Sequence, residues 1–268
     1  MRQISKPRII DLELTDLCDT TCAFCPRDKI TRPLGKMSNT TFKNILKQFQ
    51  AHYPPYIINF SGMGESLLHP KLVPWIKTLK KELPCAIGIT TNGLALTGSL
   101  AKTLLRSGPD FINISFNGDK QVLDNIKNLL LLRKQKRPRI HITTLKRSPK
   151  KDLYTYWQKI GVDGVLHQEL HNRGGYLTKK MAKRIFSAPC QIFNNSLFIT
   201  WEGNILSCCH DLSGKNMLGD LNTSSLNSIL KKRAPFLAQT TPFPICKACN
   251  DPLRAHYFAQ ERFISCKK

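Results

Sequence analysis

Ile9-Ile10-Asp11-Leu12-Glu13-Leu14 runs directly towards Cys18-Asp19-Thr20-Thr21-Cys22-Ala23-Phe24-Cys25. The aliphatic first piece predicts a β-strand, and the spacing C-x3-C-x2-C sets three thiols on the loop at its end. Three thiolates on so short a loop can converge on one iron–sulfur cube and leave one iron without a protein ligand. Structural zinc sites use four ligands, usually with C-x2-C pairs, so zinc or an accidental thiol cluster is the competing reading.

Strand-like and helix-like segments alternate downstream. Ser38 can cap a helix in which Phe42, Ile45, Leu46 and Phe49 share a face. A strand over 56–60 leads into Ser61-Gly62-Met63-Gly64-Glu65-Ser66, then into a helix carrying Leu72, Ile76, Leu79 and Leu83. A third strand over 86–90 ends in Thr91-Asn92-Gly93, followed by a short helix over 100–105 and a strand over 111–115. A helix over 122–132, a strand over 140–144, a helix capped by Ser148-Pro149 and a strand over 164–168 complete the series. Six such repeats argue for an α/β fold with a parallel sheet, curled or closed, whose functional loops lie at the strands' C-terminal ends.

After about Gly175 the pattern changes. Short strands over 197–200 and 205–207, joined by Trp201-Glu202-Gly203-Asn204, precede a short helix around 226–230. The boundary is expected near Phe186, with a small α+β module of roughly 70 residues whose core is too slight to stand without help, such as a bound metal. This module holds Cys190, Cys208, Cys246 and Cys249, spaced C-x17-C and C-x2-C. Four thiolates from a hairpin and a knuckle close a metal site completely, and spacing alone leaves zinc and iron–sulfur both open. Of the other cysteines, Cys85 reads as a core thiol, Cys209 is a neighbour that can stand in for Cys208, and Cys266 reads as incidental.

The 268 residues carry 41 Lys+Arg against 18 Asp+Glu, a formal charge of +23, which predicts an anionic substrate, carrier or nucleic acid partner. An apolar fraction of 41% excludes a disordered chain. No apolar signal segment follows Met1, and the longest aliphatic run, 129–132, is far too short to span a membrane, so a cytoplasmic location is expected. Ten cysteines without a secretory signal point to metal or redox chemistry rather than a disulfide framework.

The cysteine triplet, with Phe24 before its last member, resembles the radical S-adenosylmethionine (SAM) superfamily. So does Gly62-Met63-Gly64-Glu65, which departs from that family's Gly-Gly-Glu-Pro element at Met63 and Ser66. The resemblance implies a partial (β/α)6 TIM-like barrel over 8–180. It also implies a [4Fe–4S] cluster on Cys18, Cys22 and Cys25, and reductive cleavage of SAM to a 5′-deoxyadenosyl radical that abstracts hydrogen from substrate. Gly62, Gly64, Glu65, Asn92, Ser115 and Arg173 are the implied SAM contacts, and Asn117 stands where the family often has Asp. Pro189-Cys190, the stretch from Gly203 to Asp211 and Gly219-Asp220-Leu221 resemble the shortened SPASM module called Twitch. That resemblance implies a second, auxiliary [4Fe–4S] cluster on Cys190, Cys208, Cys246 and Cys249 within 186–255, with 256–268 as a tail.

Size and cysteine layout resemble the 2-deoxy-scyllo-inosamine dehydrogenase type. This implies hydrogen abstraction at a carbinol carbon of a small polar or phosphorylated molecule, with the auxiliary cluster accepting an electron supplied by substrate. An external donor such as flavodoxin or ferredoxin is implied for the first cluster. The alternatives are a maturase acting on a ribosomal peptide and modification of RNA or another polyanion. The latter draws on a basic run from Arg133 to Lys151. A free thiol facing the substrate can also return a hydrogen atom in a radical epimerase.

Overall fold

Alternate residues on the parallel strands carry opposite chemistry, and that alternation shapes the molecule. The computed structural model describes residues 7–52, 57–145, 151–177 and 186–256. Strands β1 (Ile9–Leu12), β2 (Ile57–Phe60), β3 (Ala86–Thr91), β4 (Phe111–Phe116), β5 (Arg139–Leu145) and β6 (Gly164–Gln168) pair in parallel, each with its sequence neighbour. Between them run α1 (Asn39–His52), α2 (Leu72–Glu82), α3 (Gly98–Ser107), α4 (Lys120–Leu132) and α5 (Lys151–Ile160). Ile10, Leu12, Ile58, Phe60, Ile87, Ile89, Ile112, Ile114, Ile140 and Ile142 are fully buried and belong to the main core with the helices' apolar faces. The residues between them face a cavity: Asp11, Asn59, Thr90, Asn113 and Thr143 line its wall, above a floor of Ile9, Ile57 and Phe111. Parallel strands covered on both faces read as continuous apolar runs. The polar alternates here mark an interior left open for a ligand.

Local signals agree with this arrangement. Ser38 Oγ accepts from Thr41 N at 3.0 Å at the start of α1, and Asp119 caps α4 by accepting from Val122 N at 3.1 Å. Phe42 of α1 stacks on Trp75 of α2 at 4.2 Å, joining adjacent helices. The Ser148-Pro149 cap, and Lys146, Arg147 and Lys150 of the basic run, lie outside the described residues, as does Cys266.

In the small module the structure adds a pairing that the local sequence pattern does not announce. Its first strand, β7 (Ser196–Ile199), pairs in parallel with β1. Strands β8 (Asn204–Leu206) and β9 (Met217–Asp220) then add antiparallel, giving one open nine-stranded sheet ordered β6-β5-β4-β3-β2-β1-β7-β8-β9. All four residues of β7 are buried, as a strand covered on both faces must be. The module is thus built onto the barrel's sheet. Around it lie α6 (Gln191–Asn195), α7 (Leu226–Arg233), α8 (Pro244–Ala248) and α9 (Leu253–His256).

Gly88 of β3 illustrates how tightly the floor is fitted. A Cβ there would sit 1.9 Å from Phe111 Cζ, so the missing side chain gives the ring its place across the cavity floor. Gly88→Ala is expected to cost about 1–3 kcal/mol through overpacking. Thermal unfolding should read this as a Tm lower by roughly 2–10 °C.

Candidate active site and auxiliary metal centre

Three loops meet at the C-terminal ends of β1, β2 and β3. In the first, Thr20 Oγ1 lies 3.3 Å from Cys18 Sγ and 3.7 Å from Cys22 Sγ, and Cys25 N donates to Cys22 O at 2.9 Å. Burial pushes the Cys25 thiol up, Arg173 opposes this, and Cys22 and Cys18 add to it, as expected of three thiols close together. The second loop is bound to the first: Glu65 N donates to Leu17 O at 2.9 Å, and a Cβ on Gly64 would lie 2.4 Å from Thr15 O and 2.5 Å from Leu17 O. Glycine is required because backbone passes against backbone. The third loop joins through Asn92, whose N–H donates to Glu65 Oε2 at 2.7 Å and whose amide donates to Asp19 Oδ1 at 2.7 Å.

Buried carboxylates brace this junction from below. Arg32 donates to Glu13 at 2.6 Å and to Asp16 at 3.0 Å, while Met63 N donates to Glu13 Oε2 at 3.0 Å. Burial raises the Glu13 carboxyl to about 7 even though Arg32 pulls it down. Asp16 also accepts from Gly35 N at 2.8 Å and from Trp201 Nε1 at 3.0 Å. Trp201 belongs to the β7–β8 turn, so Asp16 ties the cysteine loop to the C-terminal module.

Between these loops and the inner faces of the strands lies a cavity of about 350 Å³. Cys25, Gly62, Ser115 and Arg173 line it, as do Phe24 and Asn117. Gly64, Glu65 and Asn92 are set back from it: Glu65 is buried and turns its oxygens to Leu67 N and Asn92 N. Their placement makes them the seam between the three loops. Arg173, with φ of 51° on the loop after β6, reaches Met63 Sδ at 3.7 Å and is the one Lys or Arg among the described lining residues.

A buried polar network closes the far side of this cavity. His210 Nε2 and Asp251 Oδ2 lie 2.8 Å apart, His171 Nε2 is 3.6 Å from the same oxygen, and Cys209 Sγ is 3.9 Å from His210 Nδ1. Burial works against protonation of His210, but Cys209 and Asp251 outweigh it and raise the imidazole to about 9. Asn172 fastens the same corner to the knuckle, donating through its amide to Ala248 O at 2.6 Å. Sequence reading gave no role to His171, whose four-residue spacing from His167 falls on a strand and loop, nor to Asp251, Asp11 or Asn59. Their signal was the polar alternation on the strands and the position of Asp251 two residues past the knuckle.

Cys190, Cys208, Cys246 and Cys249 line a second, apolar-walled cavity of about 20 Å³. Cys208 turns into it, whereas Cys209 faces the larger cavity. Burial raises all four thiols, Cys249 to about 11, and mutual repulsion reinforces this for Cys190, Cys208 and Cys249. Buried thiols this close resist ionising together unless a positive centre sits between them, which is the chemistry of a four-thiolate metal site. The buried Ser207 Oγ and Arg254 Nε, both on residues lining this cavity, lack hydrogen-bond partners among the described residues. The donor set and these spare donors fit an iron–sulfur cluster.

A sheet of this kind, a three-cysteine loop on its first strand and a closed four-cysteine pocket define an iron–sulfur enzyme built on a partial barrel. Residues 12–129 match the Radical SAM superfamily and residues 190–250 match the iron-sulfur cluster-binding domain SPASM. These two matches mark a radical SAM core followed by a SPASM-like module, and they imply SAM and [4Fe–4S] clusters as cofactors.

The chain is 31% identical over 121 residues to the tungsten-containing aldehyde ferredoxin oxidoreductase cofactor-modifying protein of Pyrococcus furiosus. That stretch is 45% of this chain and spans only 33% of the relative's length. It is 25% identical over 226 residues to the S-adenosyl-L-methionine-dependent 2-deoxy-scyllo-inosamine dehydrogenase of Niallia circulans, covering 82% of this chain and 81% of that one. The crystal structure of BtrN in complex with AdoMet and 2-DOIA shares the fold, with a TM-score of 0.69 and 22% identity over 92% of this chain and 94% of that one. No helix among the described residues is long and apolar enough to cross a membrane.

Proposed function

We propose that this chain is a radical SAM oxidoreductase that removes hydrogen from a carbinol carbon of a small polyhydroxylated substrate, with the auxiliary site as electron acceptor. The observation that carries the reading is a shared wall: His210 and Ile192 line both the substrate-sized cavity and the four-cysteine cavity. When bound, SAM with its cluster supplies hydrogen-atom abstraction, and a fully thiolate-ligated second cluster supplies acceptance of one electron. The chain's residues do the rest. Cys18, Cys22 and Cys25 hold the first cluster. Gly62, Ser115 and Arg173 line the cavity where SAM is expected, with Gly64, Glu65 and Asn92 shaping the loops around it. Cys190, Cys208, Cys246 and Cys249 hold the second cluster.

Substrate class follows from the lining. Asn59, Ser61, Thr90, Asn113, Thr143 and Gln168 offer neutral donors and acceptors, beside one guanidinium, the His210 imidazole paired with Asp251, and the carboxyl groups of Asp11 and Glu169. Such a wall suits hydroxyl and amine groups better than a phosphate, which would call for several cations. Among the described residues, Lys77, Lys81, Lys102, Arg106 and Lys127 carry positive charge on the exposed faces of the outer helices, away from the cavity. The Niallia relative's name, a dehydrogenase of an aminocyclitol, supports the same class.

The test uses reconstituted protein, SAM, a strong reductant and 2-deoxy-scyllo-inosamine as probe, with aminocyclitol and sugar analogues beside it. A carbonyl product formed with 5′-deoxyadenosine supports the reading. A product reduced, epimerised or cross-linked at the reacting carbon overturns it. Cys246→Ala is expected to retain SAM cleavage while the carbonyl product falls to background, measured by chromatography of both products.

A further inference from the structure

Arg254 is a buried cation of the auxiliary site; the His210 imidazole on the same cavity is paired with Asp251. Arg254 lies on α9, is 3% exposed, and lines the same cavity as the four cysteines. Its Nη1–H donates to Cys246 O at 3.0 Å and its Nη2–H to Thr240 O at 2.5 Å, and its Cζ lies 4.5 Å from the centre of the Phe186 ring. These partners are two carbonyls and an aromatic face, none of them charged. Its buried Nε has no partner among the described residues. Burying a guanidinium without a counter-anion is costly. A second buried guanidinium, Arg233, also rests on carbonyls and a phenyl ring, but it is not among the residues lining this cavity. The place of Arg254 therefore suggests a negative centre within that cavity.

We infer that Arg254 is a positioning residue for electron flow: its charge raises the reduction potential of the auxiliary site and so draws the substrate's electron towards it. This rests on the reading above that the four cysteines hold a [4Fe–4S] cluster. Such a cluster is anionic, and reduction adds a further negative charge. A cation held close by in low-dielectric surroundings stabilises the reduced form more than the oxidised one. Ser207, whose buried hydroxyl lacks a partner among the described residues in the same cavity, can act in the same direction as a hydrogen-bond donor.

Redox titration of the reconstituted full chain, followed by electron paramagnetic resonance, tests the inference in the wild type, Arg254→Gln and Arg254→Lys. The second cluster's midpoint is expected to move to more negative potential in Arg254→Gln and to stay close to the wild type in Arg254→Lys. The first cluster's midpoint should hold in both. Loss of the second cluster in Arg254→Gln, with retention in Arg254→Lys, supports the same dependence on charge. An unshifted midpoint in Arg254→Gln, an equal shift in Arg254→Lys, or loss of the cluster in both overturns the inference and leaves Arg254 a packing residue. A wild-type chain with one redox-active cluster overturns the auxiliary-cluster reading and this inference together. Two clusters with a charge-insensitive second midpoint overturn the inference alone.

Discussion

Cys25→Ala is expected to reduce SAM cleavage to the no-enzyme background while the auxiliary site stays loaded. Cys25 lines the large cavity and is electrostatically coupled to Cys18, Cys22 and Arg173. With two thiolates left on the loop, the cube loses a protein ligand in addition to the position reserved for SAM, and iron is no longer retained. The four-cysteine cavity shares no residue with the three-cysteine loop. Iron should therefore fall by about half, from roughly eight to roughly four per chain, if each site holds one [4Fe–4S] cluster. Cys18→Ala and Cys22→Ala should behave alike. A Cys25→Ala protein that still forms 5′-deoxyadenosine at a measurable fraction of the wild-type rate would contradict the assignment.

Gly64→Ala is the second large effect. The added methyl meets backbone oxygens of Thr15 and Leu17 at 2.4 and 2.5 Å, and backbone cannot swing away as a flexible side chain can. Relief must come by parting the β2 loop from the cysteine loop, which breaks the Glu65 N to Leu17 O hydrogen bond and shifts the Glu65–Asn92 contact. The strain is worth about 1–3 kcal/mol or more, and it falls where the thiols converge. SAM cleavage should drop by at least about tenfold, since roughly 1.4 kcal/mol at the reacting site suffices for that. Activity and iron content together read the effect. Wild-type values for both would show that the two loops need not touch.

Much of this was legible in the sequence because it is local. The C-x3-C-x2-C spacing, the glycine before Glu65 and the six strand–helix repeats each lie within a short window, where spacing translates directly into geometry. The four-cysteine set was also readable, since a hairpin and a C-x2-C knuckle bring their ends together by themselves. What escaped was long-range. The parallel pairing of β7 with β1 depends on two segments far apart in sequence choosing each other, and the alternative hairpin-only arrangement has the same local pattern. The Asp16–Trp201 bond joins residues 185 apart, and no periodicity announces it. The cavity wall was present in the sequence as alternation, Ile10 and Leu12 against Asp11, and Ile58 and Phe60 against Asn59. The apolar members alone were enough to identify strands, so the polar members went unread. The net charge says how much basic surface exists, not where it lies, so it could not choose among anionic partners.

The most direct measurement is the metal, sulfide and SAM-cleavage stoichiometry of the full chain reconstituted under anaerobic conditions. The account predicts about eight irons and about eight acid-labile sulfides per chain, no zinc, and 5′-deoxyadenosine on reduction with SAM. Zinc in place of four of those irons, or no 5′-deoxyadenosine from fully loaded and reduced protein, would contradict it.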